Sequence, residues 1–296
     1  MKLTYSPLRY PGGKSAISEM VSTLITHNNL NSYSYAEPYA GGAGLALSLL
    51  FSDKVKSIYL NDIDRSIWSF WNAVLNDSER FINKIISTEI TIEEWHKQRD
   101  VQHNKEQADS FDLAFSTFFL NRTNRSGIIL KAGVIGGLKQ SGEYKLDCRF
   151  NKDGLINRIK LINSQKDKIH ISNFDAIEFM KKISRRKVLF SIDPPYYEKG
   201  ASLYTNFYEK DDHYNLSQSI LKLKKPWILT YDFAYEIYNL YKEKKCFSFD
   251  LNYSAAHKRV GKELLVMSDE MSIPDSLTDR ITKLGSSDFT MSSPNE

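Results

Sequence analysis

Residues 187–196 read Lys187-Val188-Leu189-Phe190-Ser191-Ile192-Asp193-Pro194-Pro195-Tyr196. Lys187 to Ile192 is a compact apolar strand that ends at Asp193. Two prolines cannot continue a sheet ladder or enter a helix interior, so the chain leaves this strand in one rigid shape. Working outward, Pro226 to Tyr231 gives another strand, followed by a helix through Ile237 and Tyr241. On the other side, Ile169 to Phe174 reads as a strand ending at Asp175, followed by a helix over Ala176 to Ile183. Near the N-terminus, Ser57 to Leu60 is a short strand ending at Asn61-Asp62, and Arg65 to Leu75 is helical with Ile67, Trp68, Trp71 and Val74 on one side. Helical spacing also runs over Ser15 to Leu24, and a helix begins at Leu45 directly after a glycine cluster.

Strand, loop and helix thus repeat in order, with an acid just past several strand ends. That pattern predicts an α/β doubly wound sheet whose ligands bind outside the carboxyl ends of its strands. Residues 76–165 break the alternation. They carry helical stretches such as Ile92 to Val101 and Phe111 to Leu120 and then a glycine-rich basic run. The reading is a discontinuous main domain, 1–75 with 166–270, an inserted and mostly helical subdomain at 76–165, and a flexible tail over 271–296, where large apolar residues are few.

Net charge is only +4, but it is unevenly distributed. From Asn121 to Lys160 nine basic residues face three acids, a local +6 that leaves −2 for everything else. A phosphate-binding surface needs such a segment, and a solvated loop face could also carry it. Cys148 and Cys246 give neither a disulfide framework nor paired metal-ligand spacing, and the six histidines form no ligand cluster, so no metal is expected. No stretch is apolar enough for a membrane span or a signal-peptide core, which fits a cytoplasmic protein with no membrane partner.

The run Asp193-Pro194-Pro195-Tyr196 holds a carboxylate, outward carbonyls and an aromatic ring side by side. An aromatic amine is a poor nucleophile because its lone pair is delocalised into the ring. Two acceptors on its hydrogens localise that pair as the nitrogen turns pyramidal, so they bind the transition state better than the ground state. Tyr196 would stack on the base. The alternative is a plain strand exit with a helix-capping aspartate.

A second signal is Ala36-Glu37-Pro38-Tyr39-Ala40-Gly41-Gly42-Ala43-Gly44, with Asp62 at the next strand end where a ribose-binding acid is expected. It favours an adenosine-containing cofactor over a tight structural turn. A third is Leu8-Arg9-Tyr10-Pro11-Gly12-Gly13-Lys14-Ser15. A phosphate-binding loop needs glycine where Leu8 stands and a preceding strand, so a nucleotide triphosphatase is excluded. A lysine in that turn could instead bind the carboxylate of an amino-acid-like ligand.

Together, Tyr10–Lys14, Glu37–Gly42, Asn61–Ile63 and Asp193–Tyr196, in that order, resemble the motifs of the Dam-type (D12 class) DNA adenine methyltransferases. The similarity continues through Tyr204–His213, Leu229–Asp232 and Gly261–Leu265, up to about residue 268. It implies a Rossmann-like sheet that uses S-adenosylmethionine as methyl donor, with an inserted target-recognition subdomain for double-stranded DNA. It implies cofactor contacts at Tyr10, Lys14, Tyr39, Asp62 (on the ribose), Asp175 (on the adenine amine) and Asp193. Asp193, Pro194 and Tyr196 would be the catalytic loop around a flipped adenine. Asn121–Gly127 resembles the family's DNA-contacting loop, which makes Arg122, Asn124, Arg125 and Lys139 the candidate DNA ligands. Arg122 and Arg125 could alternatively form ion pairs within the insert. Here Arg125-Ser126-Gly127 stands where GATC-reading members carry an aromatic residue and Asn-Gly. The resemblance also implies a bacterial or phage source, with a cognate restriction endonuclease as a further candidate partner.

Cytosine-carbon methylation needs a nucleophilic cysteine, usually after proline, whereas Cys148 follows Asp147 and Cys246 follows Lys245. Aspartate rather than serine before Pro-Pro favours adenine over the cytosine amine by the same resemblance. The competing functions are methylation of RNA or a protein amide, and a DNA-binding protein with a decayed site. The intact motifs speak against decay.

Overall fold

A computed structural model describes residues 4–9, 17–198, 208–253 and 259–289. Its sheet has eight strands: β1 (Ser34–Glu37), β2 (Ile58–Asn61), β3 (Ile169–Ser172), β4 (Val188–Ile192), β5 (Trp227–Asp232), β6 (Lys245–Tyr253), β7 (Arg259–Met267) and β8 (Ile281–Lys283). They lie in the order β3-β2-β1-β4-β5-β7-β6-β8. The first five are parallel, and β7, β6 and β8 add antiparallel. From β1 the chain steps outward to β2 and β3, then returns to β4 on the other flank. The carboxyl ends of β1 and β4 therefore frame the switch point, where such sheets bind ligands.

Strand β4 is buried along its whole length, as a parallel strand covered on both faces must be. One face is covered by α8 (Ala176–Ile183), α9 (Lys210–Leu221) and α10 (Tyr235–Tyr241), through residues such as Phe179, Ile220 and Tyr238. The other carries α1 (Ser18–His27), α2 (Gly44–Phe51) and α3 (Arg65–Asn76). Helix α3 starts where Asp64 accepts the Ser66 amide at 2.9 Å, an N-cap.

Residues 76–165 fold as α4 (Ser78–Ser87), α5 (Ile92–His103), α6 (Ser110–Thr123) and α7 (Lys152–Asn163), joined by an irregular loop from 124 to 151. These helices share one hydrophobic core with α3 and the sheet. Phe70 of α3 stacks on Phe118 of α6 at 6.0 Å, and Phe118 meets Phe150 of the loop at 5.3 Å. The insertion is thus an inset in sequence and continuous with the main core in space.

Helices α4 and α7 and the β6–β7 hairpin lie outside the elements assigned from sequence. The tail also departs from expectation: β8 pairs with β6, and Met271, Leu277, Ile281 and Leu284 are buried. Phe289 stacks on Phe233 at 4.5 Å and on Tyr238 at 4.7 Å. Sparse apolar residues suffice there because each meets surface the sheet has already made apolar, so 271–289 is not a loose tail.

Candidate active site

Four strand ends carry the acids read from the sequence: Glu37 on β1, Asp62 after β2, Asp175 after β3 and Asp193 after β4. Parallel pairing sets these ends along one edge of the sheet.

The glycine turn after β1 is held tightly. Gly41 and Ala43 both adopt left-handed backbone, with φ of 46° and 47°. That conformation costs little at glycine and more at alanine, so the surroundings must hold it in place. The Gly41 amide donates to Asp62 Oδ2 at 2.9 Å, and its carbonyl accepts from Trp71 Nε1 at 2.9 Å. Asn61 ties the β1 and β3 exits together by donating to the carbonyls of Pro38 and Phe174 at 3.0 and 2.9 Å.

Burial, with the nearby Asp64 carboxylate as the second cause, pushes the Asp62 carboxyl up to about 7 against the two backbone amides it accepts. A half-buried acid raised in this way gains most from donors, and a ribose diol supplies two. The residues present therefore fit an adenosine-containing cofactor. Asp175 is exposed and caps α8 through one carboxylate oxygen, which accepts from the amides of Ile177 and Glu178 at 2.8 and 3.3 Å. Tyr39 shares a 2.8 Å hydroxyl contact with Tyr208, and burial raises the phenol of each. Tyr10 and Lys14 lie outside the described residues.

The loop after β4 is fixed from β5 and β7. Thr230 Oγ1 donates to Asp193 Oδ1 at 3.1 Å. Tyr196, 5% exposed, donates its hydroxyl to Glu263 Oε1 at 2.5 Å. Asp232 accepts the amides of Tyr197 and Glu198 at 2.9 and 2.8 Å, and burial raises its pKa. Thr230, Asp232 and Glu263 were not singled out from sequence. The signal was faint: Leu229–Asp232 and Gly261–Leu265 stood only as stretches of resemblance. His213, on α9, is 2% exposed, with Nδ1 at 2.8 Å from the Tyr231 hydroxyl.

The basic run divides in two. Arg125 and Lys139 are exposed on the loop, beside Leu138 and Tyr144, which are also exposed. Backbone there turns at Gly136, φ 82°, where a Cβ would lie 2.7 Å from the Tyr144 carbonyl. Asn124 and Arg122 differ from expectation. Asn124 is fully buried and spends its side chain on the fold, accepting from Trp95 Nε1 at 2.7 Å and donating to the carbonyls of Ile128 and Ile129. Arg122 is 7% exposed and has no ion pair among the described residues. Burial, then the charges of Arg158, Arg9 and Arg149, pulls its guanidinium down to about 9. Three other arginines thus lie near enough to oppose its charge, and none of the four makes an ion pair among the described residues.

Asn121, at the end of α6, accepts the Arg9 amide at 2.7 Å and donates to the carbonyls of Arg9 and Gly127. It fastens the N-terminal segment to the basic loop. Among the described residues no group of three His, Cys, Asp or Glu could hold a metal ion, and no helix is long and apolar enough to cross a membrane.

Among solved structures, the chain is similar to an S-adenosylmethionine-dependent methyltransferase from Agrobacterium tumefaciens, at 11% identity and a TM-score of 0.36, covering 84% of this chain and 61% of that one. It is equally similar to a Listeria monocytogenes protein provisionally described as a class I S-adenosylmethionine-dependent methyltransferase (11% identity, TM-score 0.36, 88% of this chain and 62% of that one). The chain spans about three fifths of the length of these solved relatives. No curated protein matches it. The model of the D12 class of N6 adenine-specific DNA methyltransferases matches residues 10–257, most of the length, and the chain belongs to that family.

Proposed function

We propose that this protein transfers a methyl group from S-adenosylmethionine to the N6 amine of an adenine flipped out of duplex DNA, at one short recognition sequence. The observation that carries the reading is the placement of Asp193. It stands at the β1/β4 switch point, beside the glycine turn that Asp62 grips, on a loop pinned from β5 and β7.

The cofactor supplies an electrophilic methyl group when bound. Asp62 would accept from its ribose hydroxyls, Asp175 from its adenine amine with the carboxylate oxygen not used in capping, and Tyr10, Lys14 and Tyr39 would complete its site. Asp193 and the Pro194 carbonyl accept the two hydrogens of the target amine, which localises the lone pair as the nitrogen attacks. Tyr196 would stack on the extruded base, with its hydroxyl held by Glu263. Thr230 and Asp232 are positioning residues for the same loop. Extrusion costs a few kcal/mol, which contacts to the duplex must offset.

Those contacts fall to the loop at 124–151 and the arginines behind it. Neighbouring cations without an ion pair are costly until an anion arrives, and a DNA phosphate brought to Arg122, Arg149 and Arg158 would relieve that cost. Arg125 and Lys139 are the exposed candidates for base or phosphate contact, whereas Asn124 supports the loop from within. The family favours DNA over RNA or a protein amide. The partners are then double-stranded DNA and, where the mark protects a site, a cognate restriction endonuclease. A reducing cytoplasm suits the free Cys148 and Cys246.

Incubation with plasmid and labelled cofactor, followed by base-resolved mapping, tests the reading. Label on adenine N6 at one recurring short sequence is expected. Label on cytosine, or only on RNA or protein, would overturn it.

A further inference from the structure

At the amino ends of the parallel strands, opposite the catalytic edge, lies a shallow cavity of 480 Å³ between the end of α8 and the end of α9. Its floor includes Met180 and Leu223, and its rim carries Lys181, Lys222, Lys224 and Lys225. None of the four ammonium groups makes an ion pair or hydrogen bond among the described residues.

The cavity belongs to a wider band. Residues 181–187 and 222–225, the two turns that lead into β4 and β5, hold eight cations and no acid. Among the described residues only Lys182 makes an ion pair, with Glu178 at 3.3 Å, and Lys187 donates to Ser32 Oγ at 2.9 Å. Arg186 lies over the ring of Tyr59 on β2 at 5.2 Å, and Lys187 over Tyr33 at 4.8 Å just before β1. The band therefore crosses the amino ends of β2, β1, β4 and β5, a width of roughly 14 Å at the usual strand spacing. Cations complement the carboxyl ends of helices, but that effect fades within the last turn and a residue or two satisfies it. Eight cations exceed what two helix ends require.

We propose that this band binds the phosphate backbone of a second DNA duplex, distinct from the one at the catalytic edge. The inference rests on the reading of this chain as a DNA methyltransferase. Strand β4 separates the two edges by five residues, roughly 16 Å, so a duplex docked at Asp193 does not also lie across Lys181 and Lys225. A long, open, acid-free row suits a polyanion that presents phosphates at regular intervals better than it suits one small anion. Holding a second segment lets the protein pass from one duplex to another without full release.

The test compares wild type with the charge-reversal variant Lys181→Glu/Lys222→Glu/Lys224→Glu/Lys225→Glu. The full chain is titrated with a 30-base-pair duplex at low salt, and stoichiometry is read by sedimentation. Wild type should bind two duplexes per chain and the variant one, with methylation of a saturating short duplex unchanged. One duplex on both proteins overturns the inference and leaves the methyltransferase reading intact. No duplex on wild type removes that reading itself. A wild-type chain that binds one duplex but also binds polyglutamate, with only the latter lost in the variant, overturns the inference in favour of an acidic protein partner.

Discussion

In its proposed role, Asp62 sets cofactor binding against the stability of the free protein, and the opposition can be measured. Its carboxyl titrates near 7, against 3.8 for an ordinary aspartate. The folded protein therefore holds that proton more tightly than the unfolded chain does. Stability is least affected below pH 4, falls as pH rises from about 4 to about 7, and is then level. A proton held about a thousandfold more tightly sets an upper bound of about 4 kcal/mol at pH 8, and water reaching the site reduces this to about 1–3 kcal/mol. Asp62→Asn removes the charge and keeps one side-chain carbonyl for the Gly41 amide, but it leaves the Asp64 amide without its acceptor, a cost that is the same at every pH. Measured against wild type, the cofactor-free variant should therefore gain about 2–6 °C on going from pH 4 to pH 8. Cofactor binding goes the other way. Only the carboxylate accepts both ribose hydroxyls, so wild-type affinity should fall about tenfold per pH unit below 7. The variant should bind about 10–100-fold more weakly at pH 8. Calorimetric titration and thermal unfolding between pH 4 and pH 9 read both effects. A pH-independent wild-type affinity, or a variant whose advantage over wild type is no larger at pH 8 than at pH 4, would refute the reasoning.

Other side chains give similarly divided outcomes. Tyr196→Phe keeps the ring but takes a buried donor away from Glu263, so it should cost about 1–3 kcal/mol in urea unfolding and retain measurable turnover, whereas Tyr196→Ala should lose turnover as well. Full turnover in the alanine variant would remove Tyr196 from the base site. Arg122→Met should stabilise the free protein by about 1–2 kcal/mol and yet weaken DNA binding, lowering its log–log salt slope by about one. Asn124→Ala should destabilise by about 2–4 kcal/mol through three lost internal hydrogen bonds and leave that slope unchanged. A slope change in the second variant and none in the first would exchange their roles.

What could be read from sequence was whatever covalent structure and local spacing decide. The prolines at 194 and 195 oblige the chain to leave β4 rigidly, and Asp62 follows Gly41 at a distance set by one helix and one strand. Thr230, Asp232 and Glu263 were obscure because each acts on a residue 34 to 67 positions away, through contacts that only the sheet order creates. The α6 terminus misled for a different reason. Polar residues in a basic run look like surface, but Asn121 and Asn124 bond to backbone carbonyls, which leave no trace in composition. The antiparallel strands were obscured by Ser248, Asp250 and Glu263, polar residues that interrupt the apolar run. The order β7-β6-β8 depends on a late return of the chain that no local pattern encodes.

The account depends most on Asp193 as an acceptor for the target amine. Single-turnover methyl transfer to a short duplex, with DNA and cofactor binding measured on the same samples, isolates that role. Asp193→Ala should bind duplex within a few-fold of wild type and transfer methyl at least about a hundredfold more slowly, the scale of losing one preorganised transition-state partner. Transfer at the wild-type rate by Asp193→Ala would contradict it.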